Sequence, residues 1–113
     1  MESILTSIKK LLGIEPDYQH FDTDIIIFIN PVIAILTQLG VGPTTGFSIT
    51  GYDEKWSDLF GTRTDLDFVK SYISMKVRLA FDPPQMGYLV ESINKQCEEL
   101  EWRITLQMEG GST

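Results

Sequence analysis

Thiols and imidazoles are almost absent from this sequence. One cysteine, Cys97, excludes an internal disulfide and any multi-thiolate zinc site. One histidine, His20, excludes a multi-histidine metal cluster and leaves a serine triad a single candidate base. Basic charge is scarce as well. Nine Lys and Arg stand against sixteen Asp and Glu, for a net charge of −7 spread along the chain. Such a balance supplies solubility and no electrostatic footprint for gripping phosphates. Long apolar runs are missing too. The most apolar one, Ile25 to Leu36, contains Asn30 and Pro31 and is too short to span a bilayer. No basic segment and small-residue cleavage site mark a secretory leader, so synthesis in the cytoplasm and no membrane association are expected.

What is present is helical patterning in a chain of one-domain size, 113 residues. Ile4, Leu5, Ile8, Leu11 and Leu12 share one face, with Lys9 and Lys10 on the other and Gly13 as terminator. This predicts a short helix over about 2–12. Asp22 or Thr23 is placed to cap a second helix over about 23–39, ended by Gly40. Its apolar residues leave no polar face, so it is expected to be central or to meet another subunit. Pro31 is expected to kink it near 27–31.

Residues 40–54 turn to glycine, proline and threonine around "FSIT", which predicts a long loop or a short β-hairpin at about 41–53. One or two helical turns follow at "KWSDLFG". Another helix should begin near Thr64, whose spacing to Asp67 is that of a capping box. It carries two apolar stripes, one through Leu66, Val69, Ile73, Val77 and Ala80, the other through Phe68, Tyr72, Met75 and Leu79. Asp82-Pro83-Pro84 stops it. The last helix, about 84–107, has a seam of Met86, Val90, Ile93, Cys97, Leu100 and Ile104, and residues 105–113 read as a flexible tail. The expected fold class is mainly α, a small bundle of about four to five helices in a single domain over 1–113.

No constellation specifies chemistry. There is no nucleophile elbow, and "GVGPTTG" lacks the lysine of a phosphate loop. Asp22 and Asp24 read as helix-start residues, Glu98, Glu99 and Glu101 as a solvated face, Cys97 as core, and His20 as a surface residue. No enzyme, cofactor or metal is expected. Trp56, Tyr88 and Trp102 remain as candidate interface anchors.

Taken in order, "IKKLLGI", "FDTDIIIFIN", "LTQLGVGPTTGFSIT", "SDLFG", "VKSYISMKVRLAFDPP" and "ESINKQCEELEWRI" resemble the head–tail connector (adaptor) proteins of long-tailed double-stranded DNA bacteriophages. The likeness spans about residues 3–109, with "KVRLAFDPP" and "ELEWR" the most specific pieces. It implies a structural virion protein at the neck, made in the host cytoplasm. Twelve copies would form a ring beneath the portal, bound to the portal protein on one side and to a stopper or tail-completion protein on the other. DNA would pass through without tight binding, past an acidic lining.

With that role, Trp102, Leu106 and Met108 are candidates for portal contact. Thr44, Thr45, Phe47, Ile49 and Tyr52 are candidates for a loop facing the channel or the stopper. Ile27, Phe28, Tyr72 and Leu79 are candidates for the contact between subunits. A rival expectation from size and charge alone is an acidic DNA mimic that inhibits a host nucleic-acid-binding protein.

Overall fold

In a computed structural model, which describes residues 2–110, the chain forms five helices: α1 (Ile4–Leu11), α2 (Asp22–Gln38), α3 (Trp56–Phe60), α4 (Phe68–Phe81) and α5 (Gly87–Gly110). One β-bridge, Ser3 with Lys55, stands alone, so residues 41–53 are a loop and no hairpin forms among the described residues.

The helix ends follow local chemistry. Ser3 caps α1 by accepting from the Thr6 amide at 3.0 Å. At the far end the Gly13 amide donates to Lys10 and the Ile14 amide to Lys9, with Gly13 at φ 80°. The pair of bonds is a Schellman motif, and only glycine enters that backbone region without steric cost. Gly40 repeats it after α2, with bonds from Gly40 to Thr37 and from Val41 to Leu36.

α4 is the hub. It packs against α2, α5 and α1. Both of its predicted stripes are therefore used inside the molecule. Leu66, Val69, Ile73 and Val77 are buried, and Tyr72 is fully buried as well. α4 begins at Phe68, later than the proposed Thr64 cap. Asp67 makes no cap bond there and pairs instead with Lys70 at 2.9 Å.

Of the two alternatives for α2, the fully enclosed central helix is not what forms. Ile25, Ile29, Val32, Ile33 and Leu36 face the core, while Ile27 is 59% exposed and Ile35 38%. The helix also runs unbroken through Pro31. Proline removes the amide that would reach the Ile27 carbonyl. Ile27 and Pro31 are both exposed, so the freed carbonyl lies on the solvent side of the helix.

α5 lies along α4, tied by the Tyr72 hydroxyl donating to Glu101 at 2.7 Å. Cys97 and Ile104 are buried, and Ile93, Leu100 and Met108 pack at the core edge. The seam does not hold at its first member, since Met86 is 55% exposed. Residues 105–110 continue the helix, and 111–113, the rest of the expected tail, lie outside the described residues.

Candidate docking surfaces

A buried polar cluster fixes the end of the molecule where the connector after α1, the start of α2 and the 40–54 loop meet. Lys9, expected on the outer face of α1, is fully buried. Its three ammonium hydrogens go to the Pro16 carbonyl (2.9 Å), the Tyr18 carbonyl (2.7 Å) and the Tyr52 hydroxyl (2.7 Å). Asp22 Oδ1 sits 2.8 Å away as its counter-charge, and Tyr52 donates to Asp22 Oδ2 at 2.5 Å. Burial alone would lower the Lys9 pKa, but the bonds to Asp22 and Tyr52 outweigh it and hold the ammonium above the ordinary lysine range. Asp22 is thus the first helical residue and the partner of a buried cation, not the cap.

The signal for Lys9 was present but easily misread. It lies four residues after Leu5 and three before Leu12, at the edge of the apolar arc. The buried face is rotated toward it, and Leu11 on the opposite edge is left 56% exposed.

Asn30 was also missed. Its side-chain amide donates to the Ile49 carbonyl at 3.0 Å and accepts from the Ile49 amide at 2.8 Å. A side chain thereby replaces the neighbouring strand that a buried extended segment would otherwise need. This changes the loop candidates. Ile49 is buried, Phe47 packs at the core edge, and Tyr52 belongs to the Lys9 cluster. Only Thr44 and Thr45 of that group point outward.

The other candidates divide in the same way. Tyr72 is a core residue and leaves the set available for subunit contact. Burial and its bond to the Glu101 carboxylate push the phenol far above the tyrosine range. Phe28 is half-buried against Phe81, with ring centroids 6.4 Å apart, and Leu79 is also half-buried. Ile27 is open. Trp56 is buried, with its indole N–H donating to the Ser7 hydroxyl at 2.8 Å, so it serves the interior. Met108 packs at the core edge, where Arg63 Nη1 donates toward its sulfur at 3.5 Å.

Trp102 and Leu106 stay exposed, at 63% and 45%, and with Phe68, Arg103 and Gln107 they line a groove of about 340 Å³. Tyr88 and Leu89 form a further exposed apolar pair at the start of α5. Apolar side chains are thus left uncovered on α2 and at both ends of α5.

Among the described residues no three His, Cys, Asp or Glu side chains could hold a metal ion together, and no helix is long and apolar enough to cross a membrane. The carboxylates of Glu2, Asp22, Asp65, Asp67, Glu99 and Glu101 are paired with lysine or arginine. No curated protein and no solved structure matches the chain. The sequence fits the family model of phage connector proteins over residues 4–111, and the chain belongs to that family of phage structural proteins.

Proposed function

We propose that the chain is one subunit of a ring, of twelve copies, at the head–tail junction of a long-tailed double-stranded DNA phage. The ring sits beneath the portal and carries a stopper or tail-completion protein on its other side, with the DNA channel through its centre. The observation that supports this beyond family membership is the presence of exposed apolar groups on different elements, α2 and the two ends of α5. Ring closure by head-to-tail contacts needs two unlike surfaces per subunit, and axial partners need others. Ile27, with the half-buried Phe28 and Leu79, serves the contact between subunits. Trp102 and Leu106 serve the portal side, with Met108 anchoring that end of α5 in the core. Thr44 and Thr45, at the outer part of the loop, face the channel or the next protein. The net charge of −7 disfavours retention of DNA phosphates.

Electron microscopy of the chain mixed with its own portal protein tests the reading. The expected result is a symmetric ring of added density coaxial with the portal. Bare portal rings at micromolar concentrations of both proteins would count against it.

A further inference from the structure

The connector between α1 and α2 forms an open, shallow groove of about 530 Å³, lined by Gly13, Ile14, Glu15, Asp17, Tyr18 and Phe21. It shares no lining residue with the surfaces assigned above. Its walls are loop, yet they are fixed. The Schellman motif at Gly13 sets one side, the Tyr18 amide bonds to the Glu15 carbonyl at 3.0 Å, and buried Lys9 holds the Pro16 and Tyr18 carbonyls from beneath. Phe21 packs edge-on against Phe81 at 5.2 Å and against Tyr18 at 5.8 Å, and Tyr18 is half exposed. A fixed groove loses little entropy when it is filled. Its lining is mainly apolar and aromatic, and its two charged members are both carboxylates. Glu15 and Asp17 are exposed, and neither is ion-paired among the described residues. Lys9 beneath the wall spends its charge on Asp22 and offers none to the groove.

We infer that this groove docks a segment of another protein in which an apolar or aromatic side chain stands beside lysine or arginine. The apolar side chain enters between Tyr18, Ile14 and Phe21, and the cation meets Glu15 and Asp17. The charge complementarity selects this occupant over an acidic peptide or a nucleic acid. The site stands on its own geometry and does not depend on the ring.

The test is amide NMR of the full chain titrated with an end-blocked hexapeptide of alternating arginine and leucine, at about 150 mM salt so that distant charges are screened. A glutamate–leucine peptide is the control. Shifts should map to Ile14, Tyr18 and Phe21, with no response to the control. The variant E15Q/D17N should melt as the parent does and bind about five- to tenfold more weakly. Tyr18→Ala should also weaken binding. Shifts confined to other surfaces, equal binding of the control, or parental affinity in E15Q/D17N would overturn the inference. So would concentration-dependent shifts at 13–21 without peptide, which would assign the groove to a second copy of the chain.

Discussion

Lys9 and Asn30 carry stability out of proportion to their number. Replacing Lys9 by Met should cost about 3 kcal/mol in urea unfolding, because Asp22 and Tyr52 then lose a buried partner. Asn30→Ala leaves the Ile49 backbone unpaired in a buried site and should cost about 2 kcal/mol. Hydrogen exchange at the Ile49 amide should accelerate alongside. The buried environments of Lys9 and Tyr72 set a direction for pH. Lys9 and Tyr72 both keep their protons more tightly in the folded chain than their ordinary values of 10.5 and 10.0 allow. Each contribution is complete below its ordinary value and is lost as pH rises through the folded one. Stability should therefore fall above about pH 10. Tyr72→Phe, read by thermal melting across pH 8–11, should flatten part of that decline.

Helix ends explain how far the elements were legible. Gly13 and Gly40 end their helices at the positions the sequence suggested, because the Schellman geometry depends on one local residue. The start of α4 was misjudged because Thr64 and Asp67 have cap spacing, yet Asp67 bonds to Lys70. Loop 40–54 looked as though it might pair with itself. Its order comes from distant partners, Asn30 and Lys9, which no local pattern reports. The end of α5 shows the same dependence. Removing residues 105–113 should lower stability by at least about 2 kcal/mol, since Met108 leaves the core edge and Gln107 releases Asp65, a contact of 2.6 Å. Trp102→Ala on the same helix should change stability by less than about 0.5 kcal/mol, because the ring is mostly in solvent. Denaturant melts of the two variants side by side distinguish a packed helix end from an exposed docking face.

As a whole molecule, the chain has one core and apolar surface left over. α4 absorbs two stripes by sitting between α2 and α5, so its double pattern demands no second subunit. α2 keeps uncovered apolar surface through Ile27 and Ile35, as α5 does at its two ends. Ile27→Asp should leave thermal melting within about 1 kcal/mol of the parent, since the site is already wet. If the α2 face joins neighbouring subunits, the same change should abolish rings on the portal in micrographs. Rings of normal appearance would move the subunit contact to another face.

The sequence by itself determined the helical class, the long loop, the glycine-ended α1 and α2, the Asp-Pro-Pro corner and the connector family. Each of these rests on periodicity, backbone permission or an ordered set of local motifs. Only the tertiary structure decided which side of α2 stays open, that Lys9 is interior, that Asn30 holds the loop, and that Tyr72 faces α5 instead of a neighbour. The physical reason is common to all four. Burial depends on what packs opposite a residue, and the partners here are separated from it by 7 to 43 positions along the chain.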